Sequence, residues 1–216
     1  MIWFDNVTCT FVKGAGLFDA TFEVEKGEFV FVIGPTGAGK TTLLKLVYME
    51  IFPDKGKVVV DKYNSSKIKQ RQIPLLRRKV GMVFQEFELL SDRNVFENIA
   101  LPLKVRGEKK REIKSKVYHV LDELDISDKA GHYPSELSGG EKQIVSLARA
   151  IVKDPIVILA DEPTGNLDPV SSFKILTLLE QINKEGTAVI MASHNYNLIK
   201  DRGHRFIEVV DGRVSA

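Results

Sequence analysis

Three short runs of uninterrupted apolar residues, 29–33, 156–160 and 188–192, constrain this chain more than anything else in it. Each has five residues, too few for a buried helix, and each is bounded by Gly, Asp or Ser, so each reads as a strand buried on both faces. Each is followed by a helix-compatible stretch: 40–50, 170–184 and 196–200. Strand, turn and helix recurring in that order predict an α/β fold with a largely parallel sheet covered on both sides. The first 25 residues alternate in polarity and carry Gly14 and Gly16, which predicts an antiparallel hairpin flanking the sheet. Residues 86–136 contain no strong strand. Helical patterns at 94–105 and 108–124, punctuated by Pro102 and Gly107, predict a helical lobe inserted into the sheet's connectivity.

Composition removes several functional classes. A chain of 216 residues suits one domain with a small inserted lobe. A net charge of +2 argues against binding nucleic acid over the whole surface. Two local basic stretches remain, 62–79 with seven basic and no acidic residues and 104–116 with seven basic against two acidic; both read as solvated faces, with contact to acidic headgroups or a partner's acidic loop as the alternative. The single cysteine, Cys9, excludes a disulfide scaffold and points to a reducing cytosol. No apolar run approaches the roughly 18 residues that a membrane span requires, and the start of the chain lacks the pattern of a secretory signal.

Directly after the first run stands Gly34-Pro35-Thr36-Gly37-Ala38-Gly39-Lys40-Thr41, followed by Thr42. The spacing matches the phosphate-binding loop G-x-x-x-x-G-K-[ST], and its placement between strand and helix is the one that chemistry needs. Glycines let backbone N–H groups curl around phosphate oxygens, and the following helix adds the positive end of its dipole. Lys40 supplies a point charge to the β- and γ-phosphates, and Thr41 offers a hydroxyl to Mg²⁺. The run 156–160 ends in Asp161 and Glu162, at the strand edge where parallel sheets bind ligands. Asp161 is expected to hold Mg²⁺, through water, and Glu162 to polarise the attacking water. A guanine-reading N-K-x-D is absent: Asn183-Lys184-Glu185-Gly186 has glycine where the carboxylate would sit.

Leu137-Ser138-Gly139-Gly140-Glu141 opens a predicted helix and forms a second small-residue helix N-terminus, built to receive phosphate. Together with the phosphate loop and the acid pair, this stretch resembles the signature of the ATP-binding cassette family. The resemblance covers the chain from Ile2 to Val214. It implies a P-loop cassette of one domain over 1–216, with a nucleotide-binding core at about 1–85 and 156–216 and a helical signature subdomain at about 86–155.

It further implies an Mg²⁺-dependent ATPase that closes on ATP as a head-to-tail homodimer, with Ser138, Gly139, Gly140 and Glu141 of one copy meeting the ATP of the other. By the same resemblance Phe11 stacks on adenine, Gln85 touches Mg²⁺ or water and reports nucleotide state to the helical lobe, the loop Gly165-Asn166-Leu167-Asp168 crosses the dimer seam with Asp168 near the other copy's phosphate loop, and His194 contacts the γ-phosphate. The stretch 73–90 and Glu97-Asn98-Ile99-Ala100-Leu101-Pro102-Leu103 look most like the cell-division branch of the family. That branch implies an FtsX-like integral membrane partner and a place on the inner face of the cell membrane. The string 160–168 is shared with the lipoprotein-release and macrolide-export branch, so an exporter ATPase is the alternative. A slowly hydrolysing, ATP-gated scaffold is a second. Three positions depart from the family pattern: Glu141 for Gln in the signature, Ile144 for Arg, and Asn195 for Asp after the histidine. His119, His132 and His204 match no family position and read as surface or packing residues.

Overall fold

Apolar residues on both sides of a strand require cover on both sides, and that requirement organises the whole molecule. A computed structural model describes residues 1–11 and 15–215; Gly14 of the expected hairpin turn lies outside the described residues. The first half comprises β1 (Ile2–Thr10), β2 (Gly16–Val24), β3 (Phe29–Ile33), α1 (Lys40–Val47), β4 (Lys55–Val60), β5 (Tyr63–Asn64), α2 (Ile73–Arg77) and β6 (Val80–Val83). Then follow α3 (Val95–Val105), α4 (Lys110–Glu123), α5 (Gly139–Ile151), β7 (Val157–Asp161), α6 (Pro169–Lys184), β8 (Ala188–Ser193), α7 (Tyr196–Ile199), β9 (Arg205–Val210) and β10 (Arg213–Ser215).

The strands form one sheet in the order β5-β4-β1-β2-β10-β9-β3-β8-β7-β6. From β9 to β6 the five neighbours run parallel. The other end, β2, β1, β4 and β5, is antiparallel. Strand β10 joins the halves, antiparallel to β9 and parallel to β2 through the pair Arg213 and Phe18. The expected hairpin is therefore continuous with the main sheet.

Side chains of the central strands divide by the two-residue period of a pleated strand. Val30 and Val32, Val157 and Leu159, and Ala188 and Ile190 face α1, whose Leu43, Leu44, Leu46 and Val47 bury against them together with the hairpin. Phe29 and Phe31, Ile158 and Ala160, and Val189 and Met191 face the opposite way, onto α3, α4, α5 and α6. His204 belongs to this second layer, stacked on Phe29 at a centroid distance of 4.4 Å. The basic stretch 62–79 is only partly a solvated face: Arg77 donates to the Tyr48 and Met49 carbonyls at the end of α1, and Lys79 pairs with Asp61.

Helix α5 lies directly on β6. A Cβ at Gly81 would stand 3.1 Å from the Ala150 carbonyl oxygen and 3.3 Å from both the Ala150 Cβ and Ile158 Cγ1. Gly81→Val is accordingly expected to wedge strand from helix and destabilise the fold by about 1 to 3 kcal/mol. A lower urea midpoint at unchanged slope checks this.

Candidate active site

The C-terminal ends of β3, β7 and β8 are adjacent in the sheet, which brings together residues far apart in sequence. A cavity of about 320 Å³ opens there, lined by Thr36, Gly37, Gly39, Lys40, Thr41, Thr42, Gln85, Glu162 and His194. The loop between β3 and α1 can turn this sharply because Gly34, Gly37 and Gly39 take φ of 149°, 82° and 115°, values that a side chain at Cβ disfavours. At Gly34 the constraint is also one of space: a Cβ would sit 2.0 Å from the Val209 carbonyl oxygen. A second cavity of about 410 Å³ lies beside the loop, bounded by Pro35, Thr36, Ala38, Phe18, Asp211 and Gly212 among others.

Lys40, whose side chain is 6% exposed, donates from Nζ to the carbonyls of Gly34 at 2.8 Å and Pro35 at 3.1 Å, and stands 3.4 Å from Glu162 Oε1. The ammonium thus sits folded inside the phosphate loop with the acid as counterion. Glu162 is fixed from its other side, its Oε2 accepting from the His194 backbone N–H at 3.2 Å and lying 2.9 Å from His194 Nδ1. Its backbone occupies the left-handed region, φ 47°, a strained conformation for a residue with a Cβ and one that concentrates at functional sites. The strain aims the carboxylate into the cavity from just past β7.

Thr41 donates from its hydroxyl to Asp161 Oδ1 at 3.1 Å. Burial pushes the Asp161 carboxyl up despite that hydrogen bond, and the neighbouring Glu162 charge adds to the rise while Lys40 and Lys45 oppose it. A buried carboxylate held beside a hydroxyl suits a hard cation. Among the described residues no cluster of three or more His, Cys, Asp and Glu could hold a metal alone, so phosphate oxygens and water would complete the shell. With its folded pKa raised, ionised Asp161 weakens the nucleotide-free protein once the pH exceeds the ordinary carboxylate range, and the penalty fades on acidification. Asp161→Asn is therefore expected to raise the thermal midpoint near neutral pH, by about 2 to 4 °C per kcal/mol relieved. The gain should vanish towards about pH 4, and thermal unfolding at both pH values checks it.

Gln85, just past β6, reaches across to Asn166, its Nε2 donating to Asn166 Oδ1 at 3.4 Å. The structure thus gathers the phosphate loop, Lys40, Thr41, Thr42, Gln85, Asp161, Glu162 and His194 at one sheet edge. Other expected site residues stand elsewhere. Phe11 is exposed and lines neither cavity. Asp168 caps α6, accepting at 3.0 Å from both Val170 N and Ser171 N. Ser138 caps α5 in a reciprocal box with Glu141, whose Oε2 accepts from Ser138 N at 2.8 Å. Glu141 also faces Lys129 at 3.4 Å, so its carboxylate is occupied within its own turn. Gly140 lies tight against α6, where a Cβ would meet Ser171 Oγ at 2.7 Å. None of Ser138, Gly139, Gly140 and Glu141 lines the cavities at the phosphate loop. Asn166, expected only as part of the loop that crosses the dimer seam, is in contact with Gln85 beside the cavity.

Comparison with known proteins accords with this geometry. The family model described as "ABC transporter" matches residues 17–165. The "Cell division ATP-binding protein FtsE" of Streptococcus pneumoniae is 46% identical over 211 residues, covering 98% of this chain and 89% of that protein. The protein of the same name from Escherichia coli is 43% identical over 215 residues, covering 99% and 97%. Among solved structures, a dimeric ATP-binding cassette in a post-hydrolysis state bound to ADP and Pi superimposes with a TM-score of 0.90 at 33% identity, covering 100% of this chain and 97% of that one. A chain that carries this loop, this acid pair and this signature turn on this sheet, and matches these relatives over nearly its whole length, belongs to the ABC transporter family, in the group of the FtsE cell-division ATP-binding proteins.

Proposed function

We propose that this chain is the ATP-hydrolysing subunit of a membrane complex in cell division, that two copies close head to tail over two ATP molecules, and that a separate FtsX-like membrane protein receives the motion. The observation that carries the reading is that two turns of like chemistry line no common cavity. The phosphate loop and the Ser138-Gly139-Gly140 turn are both helix N-termini lined by small residues, yet they share no cavity. A triphosphate on the first turn can be capped by the second only if the cap comes from another copy. No helix among the described residues is long and apolar enough to cross a membrane, so attachment to the inner face of the membrane falls to the partner.

In this reading ATP draws Lys40 away from the loop carbonyls and from Glu162 onto the β- and γ-phosphates. Glu162, freed of its counterion, accepts the proton of the attacking water while His194 holds the carboxylate and meets the γ-phosphate. Backbone N–H groups of the loop and the start of α1 take the remaining phosphate charge. Thr41, Gln85 and Asp161 are the residues that would hold Mg²⁺, which supplies neutralisation of charge between the phosphates. The reading also assigns Phe11 to stack on adenine and Asp168 to approach the other copy's loop, roles that the resemblance implies.

The test is co-purification from membranes and turnover with and without the partner. Recovery with an FtsX-like protein, together with ATP-dependent dimers in light scattering, supports the reading. Recovery with a lipoprotein-release or macrolide-export permease would move the chain to the exporter branch, and turnover that stays slow in every setting would make it a scaffold.

A further inference from the structure

The two basic stretches, 62–79 and 104–116, meet in the fold. Lys153, between α5 and β7, joins them: its Nζ donates to Arg77 O at 2.8 Å, and its own carbonyl accepts from Arg106 Nη1 at 2.9 Å. The end of α2 and the end of α3 therefore lie side by side. Lys79 immediately precedes β6 and Lys153 stands just before β7, so the junction is at the sheet edge opposite the nucleotide cavity. Of the fourteen basic residues in the two stretches, four are held within the chain: Arg77 by the Tyr48 and Met49 carbonyls, Lys79 by Asp61, and Arg106 and Lys116 by Glu108. The other ten are exposed and make no ion pair among the described residues.

The acids of this neighbourhood are already engaged. Asp61 and Glu108 hold the cations just named, Asp154 lies 3.8 Å from Lys116, and Glu112 accepts from the Lys109 backbone N–H at the start of α4. Two large apolar side chains stand exposed on either side of the junction: Leu75, two residues before Arg77, at 45% and Val105, next to Arg106, at 69%. Long cationic side chains around exposed apolar ones match anionic headgroups above hydrocarbon. An acidic peptide needs a groove to fix it, and none of the ten free cations lines the cavities at the nucleotide edge, on the β1–β2 face or between α4 and α6. We propose that this face binds anionic lipid headgroups directly, its lysines and arginines meeting phosphate while Leu75 and Val105 dip between the headgroups. About four to eight cations near an anionic surface suffice, each contributing about fivefold in affinity. The contact stands apart from attachment through a membrane partner. Where such a partner holds the chain at the bilayer, headgroup binding becomes intramolecular and sets which face the cassette turns to the membrane.

The test uses the full chain alone, without nucleotide or partner, so its outcome is independent of the proposed ATPase cycle. Co-sedimentation is measured with vesicles of phosphatidylglycerol and phosphatidylcholine at about 3:7, and with vesicles of phosphatidylcholine only. The chain should bind the first and not the second, and binding should be lost between about 50 mM and about 500 mM salt as the charges are screened. Lys69→Gln/Arg71→Gln and Lys110→Gln/Lys114→Gln should each weaken binding about 25-fold, and the two pairs together should abolish it. Lys174→Gln/Lys200→Gln removes the same charge from elsewhere on the surface and should leave binding within about twofold. Val105→Ser should weaken binding about threefold to tenfold while the salt dependence stays as it was, the mark of an inserted side chain. All these positions are exposed, so thermal midpoints should be unchanged; Lys62→Gln/Lys67→Gln replaces a pair whose midpoint falls. Equal binding to both kinds of vesicle, or equal losses from the Lys174/Lys200 pair, overturns the inference. So does a chain that ignores both vesicles but binds a polyglutamate peptide saturably, since the occupant is then an acidic protein segment.

Discussion

In a Glu162→Gln variant, ATP turnover is expected to fall about 10²- to 10⁴-fold, or roughly 3 to 5 kcal/mol in the barrier, while ATP-bound dimers accumulate. The neutral amide fills the same space but cannot accept the proton of the attacking water. Binding should survive, because phosphate is gripped by the loop, Lys40 and Thr41 rather than by the acid. The substitution also removes the counterion that stands 3.4 Å from Lys40, so Lys40 reaches phosphate without first giving up a salt bridge, and affinity for ATP should rise. Single-turnover hydrolysis and scattering with ATP check both halves. Turnover equal to that of the unmutated protein would remove Glu162 from the chemistry.

Ser138→Arg is expected to abolish ATP-driven dimerisation, and with it nearly all hydrolysis, while single-chain ATP affinity is unchanged. Ser138 caps α5, so part of the effect is local: losing an N-cap costs about 1 kcal/mol, which a domain of this size tolerates. The larger effect is steric. The turn presents a hydroxyl and two glycines, and an arginine there fills the space a second copy's phosphates would need. Titration with a fluorescent ATP analogue and scattering separate the two contributions. An intact dimer would show that the turn meets no phosphate.

The parallel core and the nucleotide cavity were legible in sequence for related reasons. Buried parallel strands demand unbroken apolar runs, as at 29–33 and 188–192, and phosphate demands glycine and lysine at fixed spacing. The half-buried strands were harder. β4 opens Lys-Gly-Lys with its first three residues exposed, β6 has four residues and a glycine, and the apolar residues of β9 are interrupted by Glu208, with only Ile207 and Val209 fully buried. A search for continuous apolar runs passes over all three. The packing of Gln143 and Arg149, which donate to the carbonyls of Phe84, Phe87 and Glu88, was invisible for another reason. The fold decides which backbone atoms lie opposite a side chain, and nothing in helical spacing sets apart an amide that meets a carbonyl from one that meets solvent. The acid pair is intermediate: its position at a strand end was readable, the left-handed backbone that aims Glu162 was not.

The close approach of Gly34 to Val209, where a Cβ would come within 2.0 Å of the carbonyl oxygen, and the hydrogen bond that Gly212 N donates to Ala38 O at 3.2 Å tie the phosphate loop to β9 and to the turn between β9 and β10. Until β9 and β10 are in place the loop has no rear support. A nascent polypeptide that has already exposed Lys40 at the ribosome exit would therefore still be unable to hold nucleotide. ATP can then act as a folding ligand only for the finished chain, so trimming away the final strands should abolish nucleotide binding although every residue assigned to the chemistry is still present.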